Sequence, residues 1–471
     1  MKLISRYWFV SLALLAVVLA LSANARSDDS AGMILTASDE SQGQATPAPS
    51  AANAPSANTQ KDNGGLTSPS NPDNGAEESR EESAASLTTT NAPNMIGDSN
   101  AGGCGAVYFR GVQTLVVQHP IFACSRMNLS ENNKAEVQDR VYCTFRHYEG
   151  TSLMDIFGFQ DPSRIKLFDV NQCMLGFEKK LTDSTSVEVR LPINSQMGND
   201  LKFSDNNGSY SLPFDYETSL GNVGVILKQA LLITPKVYLS AGVGVNIPTA
   251  PNLKIQGQVT DHRFPVYDPN NPSAPPLAFV DVDNFVLNGE VDNETVNLMP
   301  FFALTWTPRE NWFVNAFFQI DVPLNPDGVS VSENLQSPDL PQGQNPFHFS
   351  GSDTLDEQTL LRVNAGLGRW VYRNESAKYL NGIAMMFEVH YTSTLQDAQI
   401  ISFNAIPNLG NGATTFNLGN GKNRMDVVNV LLGVPIVMGK TTISNGFVVP
   451  VTEERDRGFS FEYALLVDRH F

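Results

Sequence analysis

The chain has 471 residues, 31 Lys and Arg against 49 Asp and Glu, and a formal net charge of −18. That balance excludes nucleic acid as a partner, since no basic surface is available to displace counterions from phosphates. Only 17% of residues are charged, below the roughly 25% of ordinary soluble domains. Mean hydropathy is −0.17, and after the first residues no apolar run approaches the roughly 20 residues of a spanning helix.

The chain opens like an export signal. Lys2 and Arg6 precede an apolar core from Trp8 to Leu21, and Ala23 and Ala25 supply a small-residue cleavage site, so residues 1–25 read as a signal peptide. Residues 26–100 are Ser, Ala, Asn, Pro, Thr and Gly with scattered acids and no aromatic. Such a tail cannot bury enough apolar surface to offset chain entropy and is expected to be disordered. Residues 101–138 hold two apolar stretches, Val107 to Phe109 and Leu115 to Val117. They fit a small plug, an extra strand pair or a periplasmic cap. Four cysteines, Cys104, Cys124, Cys143 and Cys173, match no zinc spacing. In an exported chain they allow Cys104–Cys124 with Cys143–Cys173, the latter on neighbouring strands. Equally, Cys143 and Cys173 can be small apolar side chains facing lipid.

From residue 139 onward the period is close to two. Val187, Val189 and Leu191 alternate with Ser186, Glu188 and Arg190, and Trp312, Val314, Ala316 and Phe318 alternate with Asn311, Asn315 and Gln319. Helical spacing explains neither. Strands are expected at 139–149, 171–181, 183–193, 219–233, 236–248, 292–306, 311–322, 357–371, 381–395, 425–438, 441–451 and 457–471. Their connections alternate between short turns and long stretches rich in Pro, Asn, Gly and acid. A soluble sandwich has no reason to segregate loop lengths, whereas a transmembrane barrel has short periplasmic turns and long outer loops. Trp306 and Trp312 flank one short turn, as an interfacial girdle would. The fold class is therefore all-β: a transmembrane antiparallel up-and-down barrel of about 12 strands (12–14) over residues 139–471, behind a disordered N-terminal tail. Its apolar closing face runs through Phe459, Phe461, Tyr463, Leu465 and Val467, and the chain ends on Phe471.

Several stretches carry a family likeness: Leu175 to Leu181 with Ser186 to Pro192, Gly221 to Lys228, Gly242 to Pro248, His390 to Gln396, and the closing strand. Over roughly 139–471 the chain resembles porin-like outer-membrane barrels of the hydrophobic-compound-channel kind, the group that includes the MetA-pathway phenol-degradation barrels. The resemblance implies residence in a Gram-negative-type outer membrane, lipid and the barrel-insertion machinery as partners, and Phe471, Val467, Leu465 and Tyr463 as the insertion signal. It also implies a passive pore for small solutes, hydrophobic or aromatic ones included.

Parity places Glu178, Lys180, Glu188, Arg190, Lys228, Asp321, Arg362, Glu388, His390 and Glu462 on the lumenal face. Two readings stay open. The charges form rings that set the selectivity of a channel, or they pair across a narrow lumen and fill it. His390 with Thr392 and Ser393 suggests a hydrolase, but neighbours of opposite parity point to opposite faces and cannot share a hydrogen bond. No Gly-rich phosphate loop, HExxH or CxxC array occurs, so no enzyme activity, cofactor or metal is expected. The expectation is a passive pore or transporter for small solutes. The alternatives are a structural or surface-display barrel with a plugged lumen, and a secreted soluble β-sandwich adhesin.

Overall fold

The computed structural model describes residues 92–98 and 126–471 apart from short breaks in the longer connections, together with the backbone of two strands, Ala106–Arg110 and Thr114–Gln118. The signal segment 1–25, the tail as far as residue 91, Cys104 and Cys124 lie outside the described residues.

Twelve strands close into one antiparallel barrel. They are β1 (Arg140–Glu149), β2 (Phe168–Thr182), β3 (Thr185–Gly198), β4 (Val223–Ile233), β5 (Val237–Ile247), β6 (Asn297–Arg309), β7 (Trp312–Pro323), β8 (Leu360–Arg373), β9 (Gly382–Thr394), β10 (Asp426–Met438), β11 (Thr441–Pro450) and β12 (Phe461–His470). Each pairs with the next in sequence, and β12 pairs with β1 from Phe461↔Glu149 to His470↔Arg140, which leaves no free edge. Closure pairs the wall strands with their neighbours all round, interrupted only by local bulges and breaks in register, as a sheet must be to sit in lipid. A short strand, Glu217–Leu220, lengthens the pairing of β3 beyond the start of β4.

The turns at 183–184, 234–236, 310–311, 374–381 and 439–440 lie at one end, and every longer connection lies at the other. These long connections are more ordered than their composition suggests. One six-stranded sheet joins Leu201–Asp205, Gly208–Leu212, Leu253–Val266, Ala278–Val291, Asp327–Gln336 and Ser350–Leu355. A second takes in Leu153–Phe157, Arg164–Lys166, Ile400–Asn404 and Thr415–Gly419 with the two N-terminal strands. Stretches such as Ile255 to Val259 and Phe279 to Val282 carry the β-branched and aromatic residues that pleated pairing favours.

The outward face of the barrel is apolar around almost its full circumference. Val141, Phe177, Val189, Leu227, Phe302, Phe318, Leu367, Phe387, Leu432 and Phe447, each on a different strand, are all exposed. Soluble monomers do not leave a band of that extent uncovered.

Candidate functional site: an occupied lumen

The inward face is lined by the residues of opposite parity, and the lumen it encloses is filled by the chain's own N-terminal residues. Two limbs enter. The first, residues 92–98, begins at the short-turn end, where Ala92 packs against Phe313, Trp370, Ala384 and Met386. It ends near the long-loop end, where Asp98 accepts from Asn429 Nδ2 at 2.7 Å. The second, residues 126–138, runs back. Arg126 lies at the long-loop end with Nη2 2.6 Å from Glu357 Oε2. At the other end, Val137 N donates to the Tyr238 hydroxyl at 3.5 Å, beside the 234–236 turn. The limbs hold each other through Met95 N to Asn133 O (2.8 Å) and Asn132 N to Ile96 O (3.3 Å). Residues 92–98, which composition assigns to the disordered tail, are therefore fixed in the barrel interior. Their apolar pair, Met95 and Ile96, finds there the buried surface that a tail in water lacks.

Of the ten residues that parity assigns to the lumen, all but Lys180 are fully buried. Lys180 is half-buried at the short-turn rim, beside a bulge in β2. The others converge in three groups. At the first, Arg140 reaches Glu178 (2.8 Å), Glu188 (3.3 Å) and Asp468 (2.9 Å). Lys228 Nζ adds a contact to Glu178 at 3.1 Å, and Arg190 one to Glu188 at 2.9 Å. At the second, Arg146 binds Glu131 of the returning limb at 2.5 Å, Glu462 of β12, and the carbonyls of Ile96 (2.7 Å) and Gly97 (3.0 Å). His390 sits close by, 2.9 Å from Glu388 and 3.0 Å from Asn364 Oδ1. At the third, Asp321 and Arg362 face Arg126, which lies 3.9 Å from Asp321. Arg362 Nη2 donates to the Arg126 carbonyl at 3.4 Å.

Arg140 and Arg146 anchor two of these groups and were not read from the sequence. The same parity rule, applied to β1, picks them out. The lumenal face is also less polar than alternation suggests. Phe301, Phe313, Phe317, Leu431 and Leu466 point inward, and Phe459, which the terminal pattern places on the outer face, packs inside against Tyr148 with ring centroids 5.6 Å apart. Each apolar patch has a match on a limb. Met95, Met127 and Leu129 cluster with Met299, Phe301 and Phe317, and Ile96 with Leu431 and Leu466. Lumenal glycines make the room: a Cβ on Gly224 would lie 1.9 Å from Met127, and one on Gly433 2.2 Å from Ile96. Glycine at inward positions is the sequence signal that something occupies the lumen.

The remaining candidates fall as follows. Cys143 and Cys173 are free thiols on β1 and β2 with sulfurs 3.6 Å apart. The register pairs Cys143 with Leu175 and Cys173 with Phe145, so they are diagonal neighbours. Phe471 stacks on Phe177 at the short-turn end, ring centroids 6.1 Å apart, beneath the Lys179 ammonium. Tyr463, Leu465 and Val467 alternate with inward Ala464 and Leu466 on β12. Ser393 has the parity of Tyr391, opposite to that of buried His390, and the pair forms no catalytic contact.

No protein-family description matches the chain, and no curated protein matches it. Solved structures of similar course include the translocator domain of the autotransporter NalP from Neisseria meningitidis (10% identity, 79% of this chain and 90% of that one, TM-score 0.32). Others are the Pseudomonas putida toluene transporter TodX (9%, 81% and 93%, TM-score 0.34) and the CymD monoaromatic hydrocarbon channel (11%, 78% and 87%, TM-score 0.35).

At the long-loop end Arg126 ties the returning limb to the wall. Its guanidinium donates to Glu357 and to the Gln358 carbonyl, just before β8. Burial pushes the Glu357 carboxyl up to about 7, against the opposing pull of the Arg126 charge. Diffusion through an open lumen, the expectation from strand pattern, has the two limbs in its way. Most of the lumenal charges pair with each other or with the limbs.

Proposed function

We propose that this protein is an outer-membrane barrel that transports small solutes and is held shut at rest by its own N-terminal limbs. The single observation that carries the reading is the set of lumenal guanidinium and carboxylate groups bound to limb residues, above all Arg146 to Glu131 and to the Ile96 and Gly97 carbonyls. A buried charge is tolerated only with such partners, so the wall residues are built around an occupied lumen. The exposed apolar band supports placement in a bilayer, because lipid can cover it all round. Withdrawal of the limbs would uncover Met299, Phe301 and Phe317 alongside the charged groups. Those side chains favour small apolar or aromatic solutes over strongly hydrated ions.

A second reading has its own support. Ala106–Arg110 pairs with Thr415–Gly419 on one side and Thr114–Gln118 on the other. The segment between the limbs is thus built into the long-loop sheet, as in a barrel whose task is display. Planar-bilayer recording separates the two. The full-length chain is expected to sit closed with rare openings, and a chain lacking 92–138 to conduct steadily. A folded, heat-modifiable barrel without limbs that never conducts would sink the transport reading and favour display.

A further inference from the structure

The ends of β5, β6, β7 and β8 at the short-turn side border a recess of about 700 Å³, lined by Lys236, Arg309, Trp312, Arg369, Trp370 and Arg373 among others. The turns hold it together. Thr307 N donates to Lys236 O at 2.8 Å, Trp370 N to Asn311 O at 2.9 Å, and Arg373 Nη1 to Glu310 O at 2.9 Å. Register places Arg309 opposite Trp312, and Trp312 opposite Arg369.

Two features set this recess apart. First, four cations meet one lining carboxylate, Glu310, in a chain of net charge −18. Arg373 is tied to Glu375, but Lys236, Arg309 and Arg369 have no ion pair among the described residues. These three cations converge on one recess with a single lining carboxylate, a net positive charge that suits an anion from outside. Second, the recess lies at the lower border of the apolar band. Trp306, exposed, and Trp312 mark the border, and Val363, Leu367 and Val371 continue β8 above and beside Arg369. The Arg369 guanidinium lies over the Trp312 ring, 5.4 Å from its centroid. Tryptophan is enriched at the headgroup level of a membrane, and guanidinium binds phosphate through paired N–H donors.

We propose that this recess binds the phosphate of an anionic phospholipid in the leaflet at the short-turn end, with Lys236, Arg309 and Arg369 as donors. The acyl chains would then lie on the apolar outer face of β7 and β8. A free phosphate would satisfy the same donors but would make no use of that apolar surface, so the lipid is the occupant argued for. The inference rests on the band being lipid-facing.

The test uses full-length protein in nanodiscs of phosphatidylcholine containing a minority of phosphatidylglycerol. Lipid retained after transfer to detergent is counted by native mass spectrometry. Wild type is expected to retain phosphatidylglycerol over phosphatidylcholine, and the triple variant Lys236→Gln/Arg309→Gln/Arg369→Gln to lose that preference by about tenfold or more, given what each basic residue contributes at an anionic surface. Arg424→Gln, which removes a charge at the long-loop end, is expected to leave it unchanged. Equal retention by wild type and the triple variant overturns the proposal. So does displacement of the lipid by millimolar inorganic phosphate with no selectivity between lipids, which makes the recess a free-anion site. A heat-modifiable, detergent-requiring barrel that shows no preference refutes the recess alone. A chain that stays monomeric and folded without detergent refutes the membrane reading beneath it.

Discussion

One carboxylate of the wall holds two successive amides of the first limb. Glu388, buried on β9, accepts from Ile96 N at 2.8 Å and from Gly97 N at 2.9 Å, and its second oxygen also meets His390. Gly97 has φ +70°, and a Cβ there would come within 2.5 Å of the Glu131 Cα. Both the left-handed backbone and the contact with main chain penalise a side chain. Gly97→Ala should therefore weaken docking by roughly 1–3 kcal/mol. Hydrogen exchange of the 92–98 amides would rise by about tenfold or more, and unchanged protection would show that the limb is held elsewhere. Parity found Glu388 in the sequence. Nothing found Gly97, because a positive φ inside a low-complexity tail has no local signature. A second residue-scale prediction concerns Glu357, whose carboxyl burial raises to about 7. A carboxyl raised on folding stabilises the folded state below its ordinary pKa of 4.5, and that contribution is lost as pH climbs through about 7. Thermal unfolding in detergent should accordingly lose up to about 3 kcal/mol between pH 4.5 and 8 from this group. Glu357→Gln should flatten that part of the profile, and a slope that survives the substitution would assign it to other groups.

At the scale of elements, wall and limbs differ in how much the sequence disclosed. Strand periods are long and redundant, so β1 to β12 fall within a few residues of the expected ranges. The largest shifts are of five residues: β3 runs on to Gly198 instead of 193, and β6 begins at Asn297 instead of 292, the latter because Asn293 and Thr295 are held by side-chain bonds to Asn252 and Asp327. The limbs carry no period. Asn94 to Asp98 and Arg126 to Gln138 adopt their course only because the wall supplies partners, which is tertiary information. The wall in turn depends on the limbs. Arg146→Met would strip Glu131 on a limb and Glu462 on β12 of their shared guanidinium and leave two carboxylates buried. Breaking a buried pair from one side costs roughly 3–5 kcal/mol. The heat-modified gel transition of the variant should drop accordingly, and adding Glu462→Gln should restore part of the loss. Additive losses in the double variant would mean that the two residues do not share the interaction.

For the whole molecule, the path of the chain is the decisive feature. Residues 92–98 cross the lumen toward the long loops, the strands Ala106–Arg110 and Thr114–Gln118 join the long-loop sheet, and residues 126–138 cross back before β1 begins. One chain therefore passes through its own barrel twice. Strand grammar alone could not reveal this, since loop-length parity orients the wall but says nothing about what runs inside it. The path makes a prediction that no open porin shares. An epitope inserted between Arg110 and Thr114 should bind antibody on intact cells, although it precedes the first barrel strand in sequence. The same epitope at Ser376, in the longest of the short turns, should bind only after permeabilisation. If the Arg110 epitope is also hidden until the envelope is opened, the segment lies on the short-turn side. The two limbs would then have to be a hairpin entering from that end, and the pairing of Ala106–Arg110 with Thr415–Gly419 would not exist in the membrane.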